Sequence, residues 1–346
     1  MIFDREADER STYIIAEMSA NHAGSFERAR EIIHAAKESG ADCVKLQTYT
    51  ADTLTLDCDN KYFHIDNGTW EGENLYKLYE KAYTPWEWQA DLKAEAERIG
   101  IDFLSTPFDK TSVDFLEKLN VKAYKIASFE LVDIPLIDYA ASKNKPIILS
   151  TGMGSVDEIE DAVKTIKKYH NNFILLKCSS AYPAVSDGMN LAAMSDMKER
   201  FNCPVGLSDH SMGSLGAVAA VAMGADVIEK HFCLSREIEN PDSSFSMEPK
   251  EFADMVRDIR LVEKAKGKVF YGPTDQEKDS IVFRKSIFTV KNIKAGERLT
   301  EENIRVIRPG YGMKPKYYKD ILGKRALYDI DRGMPVDDGM FEGKEI

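Results

Sequence analysis

Basic residues are in deficit in this chain: 46 Lys and Arg stand against 58 Asp and Glu, a formal net charge of −12. Nucleic acid and anionic membrane surfaces both call for a basic face, so neither is an expected partner. Cysteine is sparse. Cys43, Cys58, Cys178, Cys203 and Cys233 are widely spaced and form no CxxC pair. This excludes a zinc knuckle or a disulfide framework and points to a reduced, cytoplasmic setting. Long apolar runs are missing. The most apolar stretch, GAVAAVAMGADVI, is broken by Gly224 and Asp226 and is too short to span a bilayer. The start, MIFDREADER, is charged and has no apolar h-region, so no signal peptide is expected. No GxGxxG follows the first β-type run, which argues against a dinucleotide-binding doubly wound sheet.

What is present is a regular alternation. With 346 residues, 43% hydrophobic and 30% charged, the chain suits a soluble protein of one large and one small domain. From residue 12 to about 265, β-type runs (YIIAE, CVKLQ, DFLST, AYKIAS, PIILST, FILLKC, PVGLS, DVIEKH) alternate with amphipathic helical segments. Ser25 suits a helix N-cap, and Gly40 and Gly100 suit C-caps. Eight strand–helix units predict a (β/α)8 TIM barrel over residues 1–265. A linker at 266–282 and a small β-rich domain at 283–346 follow, with a short helix expected at Thr300. The second connection, Thr48 to Thr84, is long and aromatic, which suggests a functional loop.

The C-terminal strand ends of such a barrel form its active-site face. Here they carry Glu17, Lys45 with Gln47, Thr106, Lys125 with Ser128 and Glu130, Ser150, Ser180, Ser208 with His210, and Glu229 with His231. Side chains alternate along a strand, so Ser208 and His210 share a face, as do Glu229 and His231, while Asp209 and Lys230 point away. His210 and His231 end neighbouring strands. Either they hold a divalent metal ion such as Mn²⁺, or they are simply hydrogen-bonded. His22 offers a third imidazole or a substrate contact; the alternative is a loop histidine hydrogen-bonded to backbone. Lys45 and Lys125, among hydroxyls, suit a phosphate or carboxylate ligand. The alternatives are structural ion pairs with Glu17 and Glu130, or a Schiff-base lysine of an aldolase. A non-catalytic carbohydrate- or ice-binding protein is the rival of another class.

The strings IIAEMSANHAGSFERAREIIHAAKESGADCVKLQTYTADTLT, FLSTPFDKTSVDFLE, AYKIASFE, ILSTGM, SAYP, GLSDHS and IEKHF resemble the sialic acid synthase family over nearly the whole chain. The C-terminal part, with RPGYG, is similar to the antifreeze-like (SAF) domain of that family. WEGENLYKLYEKAYTPWEW looks most like the branch that takes 2,4-diacetamido-2,4,6-trideoxy-L-altrose, rather than those making N-acetylneuraminate or legionaminate. The resemblance implies condensation of phosphoenolpyruvate with the open-chain aldehyde of that sugar. It implies His210 and His231 as ligands of a divalent metal ion, Mn²⁺ first, with Mg²⁺ or Co²⁺ as alternatives. Lys45, Thr106, Lys125, Ser128, Ser150, Ser180 and Ser208 match phosphoenolpyruvate contacts. Glu17, Gln47, Glu130, Tyr182 and Asp242 match catalytic or sugar-side positions. Arg308 matches an arginine that reaches the partner's site in a domain-swapped homodimer. Asn240 stands where the family commonly has Gly, and Ser180 where some members have Asn.

Overall fold

The computed structural model describes residues 11–343. Residues 344–346 and 1–10, the charged start for which no signal peptide is expected, lie outside the described residues. Two compact units divide at Gly267.

The larger unit is the expected (β/α)8 barrel. Its strands are β1 (Tyr13–Glu17), β2 (Cys43–Thr48), β3 (Asp102–Pro107), β4 (Tyr124–Ile126), β5 (Ile147–Ser150), β6 (Phe173–Cys178), β7 (Val205–Asp209) and β8 (Val227–His231). They pair in parallel in the order β3-β2-β1-β8-β7-β6-β5-β4, and β3 lies beside β4 to close the ring. Strand parity then sorts the side chains. Tyr13, Ile15, Cys43, Leu104, Ile148, Ile174, Leu176 and Val227 fill the barrel interior. Their neighbours Ile14, Val44, Leu149, Leu175 and Ile228 face the surrounding helices. Each such fully buried aliphatic side chain contributes about 1.5–3 kcal/mol. Gly206 in β7 is held to glycine by this packing: a Cβ there would lie 2.2 Å from the Val227 carbonyl oxygen.

Local signals place the helices. Ser25 accepts from the Arg28 N–H at the start of Phe26–Glu38. Trp86–Ile99 stops at Gly100, and a Ser155/Glu158 capping box opens Val156–Lys167. The β4 run is shorter than AYKIAS suggests. Its end turns into a 3-10 segment, Ser128–Glu130, which lifts both residues off the strand.

The long second connection is not a simple loop. It contains the helices Ala51–Leu54 and Leu75–Ala82. Tyr49 packs edge-on against Tyr79 and Phe108, which anchors the connection to the barrel.

The smaller unit pairs β9 (Ser286–Thr289) with β10 (Ile304–Ile307) antiparallel, around a core that includes Ile287, Leu299, Ile304, Ile330 and Phe341. The helix expected at Thr300 is a turn instead. Asn303 closes it by accepting from the Thr300 N–H at 2.7 Å. A short helix lies later, at Tyr318–Ile321.

Candidate active site

The parity that fills the barrel floor with apolar residues continues upward and turns polar at the strand ends. Glu17 stands level with Lys45 and His231, Gln47 with Thr106, and Ser208 with Glu229. At the centre, the Lys45 ammonium forms an ion pair with Glu17, donates to Thr106 Oγ1 at 3.2 Å and lies 3.8 Å from Glu229. Lys125 lies 3.5 Å from Glu229, and Ser208 donates to the same carboxylate at 2.9 Å. Gln47 donates to Glu17 at 3.4 Å. All but Gln47 are buried.

Burial raises the carboxyl of Glu17 to about 6, even though Lys45 pulls it down. Burial would also raise Glu229, but Lys125 and Lys45 outweigh it and hold Glu229 low. Lys125 is lowered by burial. Glu130, by contrast, does not pair with either lysine. Burial raises it to about 7, and its Oε2 has no hydrogen-bond partner. The alternative of structural pairing thus holds for Glu17 and fails for Glu130. The acid that joins the two lysines is Glu229.

Beside this centre lies a cradle of hydroxyls. The Gly152 N–H donates to Ser128 Oγ at 3.0 Å. A Cβ at Gly152 would stand 2.2 Å from Ser180 Oγ and 2.7 Å from Ser128 Oγ, so a side chain would close the space between them. Ser150 Oγ is buried without a partner.

The imidazoles form the third element. The His210 and His231 ring centroids are 5.4 Å apart. His210 Nδ1 is 3.0 Å from the Ser179 carbonyl oxygen, which can only accept. That nitrogen therefore carries the proton, leaving a lone pair on Nε2 when the ring is neutral. Burial, then the charge of His210, hold His231 well below the usual histidine range, and its Nδ1 has no partner. Among the described residues no group of three or more His, Cys, Asp or Glu side chains is placed to hold a metal. A cation here would take two protein nitrogens and complete its shell from substrate or water. Behind the pair, Lys230 bonds to Asp209 at 2.8 Å and to the Ser211 carbonyl at 2.6 Å, the supporting role expected of outward residues.

Tyr182 and Asp242 also reach the mouth. The Tyr182 ring lies 4.3 Å from His210 and 5.2 Å from Phe245. Asp242 accepts from the Ala20 N–H, and burial raises its carboxyl. Asn240 fixes this loop: its side chain accepts from the Asp242 N–H at 3.0 Å and donates to the Ile238 carbonyl at 2.9 Å.

His22 is not a third free imidazole. Its Nε2 bonds to Thr84 Oγ1 at 3.1 Å and its Nδ1 accepts from the Gly24 N–H. Burial lowers it to about 4, and its ring packs on Trp88. The tryptophans of the TPWEW segment pack against neighbouring helices. Trp86 packs on Phe115 and Trp88 on Phe26. Arg308 lies in the smaller unit, exposed just after β10, with no hydrogen-bond or ion-pair partner among the described residues. Sequence reasoning placed Glu229 on the active-site face without giving it a role, and passed over Cys178, Gly152 and Phe245. For Glu229 the signal was there, since it shares a face with His231. Cys178 sits 3.7 Å from His210 Nδ1, which draws its thiol to about 7 against the upward effect of burial.

One mouth of a (β/α)8 barrel thus brings together a lysine–carboxylate centre, a hydroxyl cradle and two neighbouring imidazoles. The sequence pattern of the NeuB family matches residues 32–271, and that of the SAF domain matches 284–342. The chain belongs to the NeuB family. It is 44% identical to the pseudaminic acid synthase of Campylobacter jejuni over 335 residues, 96% of this chain and 98% of the relative. It is 45% identical to the pseudaminic acid synthase of Helicobacter pylori, over 93% and 96% of the two chains. The solved structure of N-acetylneuraminic acid (sialic acid) synthetase from Leptospira borgpetersenii superposes with a TM-score of 0.70 at 33% identity. It covers 78% of this chain and 90% of its own.

Proposed function

We propose that the chain condenses phosphoenolpyruvate with the open-chain aldehyde of 2,4-diacetamido-2,4,6-trideoxy-L-altrose and water, giving pseudaminic acid and phosphate. The observation that carries this is the meeting of Lys45 and Lys125, an open hydroxyl cradle and two unspent imidazoles at one barrel mouth. The higher identity to pseudaminic acid synthases than to the neuraminic acid enzyme selects the sugar.

Lys45, Lys125, Thr106, Ser128, Ser150, Ser180 and Ser208 hold the carboxylate and phosphate of phosphoenolpyruvate. These groups keep their charge throughout, so the lysines act mainly by positioning. With Glu17 titrating near 6, protonation of that acid would free Lys45 for the entering anion. C3 of phosphoenolpyruvate forms the new bond to the aldehyde carbon, and the aldehyde oxygen takes a proton to become a hydroxyl. Water adds at C2. The C2–O bond to phosphate then breaks, leaving a ketone whose oxygen comes from that water. Of the two protons of the water, one balances the new hydroxyl and the other leaves with phosphate. Glu130, Glu17 and Gln47 are the groups placed to orient water or move these protons. A divalent cation, Mn²⁺ for preference, held by His210 and His231 would supply Lewis-acid polarisation of the aldehyde. Tyr182 and Asp242 take the sugar side.

A domain-swapped homodimer completes the proposal. Residues 283–346 carry 14 Lys and Arg against 10 Asp and Glu, in a chain of net charge −12. The small domain is therefore positive and the barrel region strongly negative. This favours docking of the small domain on a second copy's barrel, with Arg308 directed at the bound sugar. No helix among the described residues is long and apolar enough to cross a membrane.

The test is phosphate release from phosphoenolpyruvate across a panel of hexoses. The diacetamido-trideoxy sugar should give the highest kcat/KM. Equal or better turnover of N-acetylmannosamine would overturn the choice of sugar.

A further inference from the structure

Trp70 reaches the barrel mouth from the connection after β2 and joins two loops remote from it in sequence. Its indole N–H donates to the Pro241 carbonyl at 2.9 Å, in the loop after β8. Its ring lies 5.3 Å from that of Tyr182, in the loop after β6. The neighbouring Thr69 hydroxyl donates to the Tyr182 carbonyl. The indole is thus held in place, yet it stays partly exposed. From Trp70 the ring contacts run inward: Tyr182 meets His210 and Phe245, and Phe245 lies 5.0 Å from His231.

Tryptophan has one hydrogen-bond donor and no acceptor. Here that donor is spent on a backbone carbonyl. What Trp70 can offer a ligand is therefore an apolar surface. A hydroxyl laid against it would lose water and gain no partner, whereas a methyl group would gain from burial. The position of Trp70 says which part of a sugar it meets. Under the proposed function the reacting carbon, C1, lies at the imidazoles and lysines. Trp70 is linked to His210 through the Tyr182 ring, which assigns it to a part of the sugar further from C1 than Tyr182.

We propose that Trp70 is a specificity-determining residue that selects a sugar bearing a methyl group, not a hydroxymethyl group, at C6. This rests on the proposed function and adds the residue that enforces the deoxy preference. The competing account is that Trp70 only pins two loops together. Its loss would then lower turnover of every sugar alike.

Steady-state kinetics on two hexoses that differ only at C6 separate the accounts. One is 2,4-diacetamido-2,4,6-trideoxy-L-altrose and the other its 6-hydroxy counterpart. Wild type should prefer the deoxy sugar by roughly ten-fold or more in kcat/KM, the scale of one hydrophobic contact. Trp70→Ala should cut kcat/KM for the deoxy sugar roughly ten-fold, leave the 6-hydroxy sugar within about two-fold, and leave the KM for phosphoenolpyruvate within about two-fold. Trp70→Phe removes the N–H but keeps an apolar ring, and should retain most of the preference. It also serves if the alanine variant folds poorly. An unchanged ratio in Trp70→Ala, or a Phe variant that loses the preference completely, overturns the assignment while the proposed function stands. A wild type that turns over neither sugar overturns both.

Discussion

Lys125 and Glu229, from β4 and β8, lie 3.5 Å apart, and Glu229 is the acid that both central lysines share. Removing one partner of a buried charge cluster is costly because the others are left uncompensated. Glu229→Gln should lower stability by about 3 kcal/mol. An entering anion can replace the missing charge. Phosphoenolpyruvate should therefore raise the melting temperature of the variant more than that of the wild type. Thermal unfolding with and without phosphoenolpyruvate checks this, and equal shifts would show that Glu229 does not balance the lysines.

His231 is buried, neutral and unpartnered at Nδ1. His231→Ala should lose bound divalent metal in equilibrium dialysis while remaining folded by circular dichroism. A chelator should abolish phosphate release by the wild type, and Mn²⁺ should restore it. Full activity in the chelated, metal-free enzyme would end the assignment of the imidazole pair.

Glu130 gives a pH signature. Its folded value, about 7, lies above the ordinary 4.5 because of burial. A carboxyl raised in this way contributes stability that is fully present below about 4.5 and is lost as pH rises through 7. The loss is at most about 3 kcal/mol. Glu130→Gln cannot ionise, so its stability relative to wild type should rise between pH 5 and pH 8. Urea denaturation at the two pH values measures it. A difference that does not change with pH would mean Glu130 is not held in this environment.

Much of this site was legible because one physical rule, alternation along a strand, set which side chains enter the barrel. It assigns Lys45, Lys125, Ser150, Ser208, His210 and His231 to one mouth from the sequence alone. Pairing was less legible. That Glu229 takes both lysines and Glu130 neither depends on distances between strands far apart in the chain. The long connection was the least legible. Trp70, Trp86 and Trp88 are alike in type, yet only Trp70 meets the mouth. Trp86 and Trp88 sit on a helix and face its neighbours, as their packing against Phe115 and Phe26 shows. Likewise, nothing in the sequence marked His22 as a residue with both nitrogens engaged.

Arg308 tests the proposed exchange of domains. Arg308→Ala should weaken use of the sugar and leave phosphoenolpyruvate binding largely intact. Mixed with inactive His231→Ala, it should regain part of the activity as subunits exchange, because one site in each mixed dimer then carries neither change. Confirmed mixed dimers that stay inactive would show that Arg308 does not act in trans.

The central claim is a condensation with C–O cleavage on a diacetamido-trideoxy sugar. Phosphoenolpyruvate labelled with ¹⁸O in its bridging C–O–P oxygen, incubated with that sugar and the enzyme, tests it by mass spectrometry of both products. The account predicts a nonulosonic acid with the mass of pseudaminic acid and the label in the released phosphate. Label retained in the sugar acid, or no nonulosonic acid at all, would contradict it.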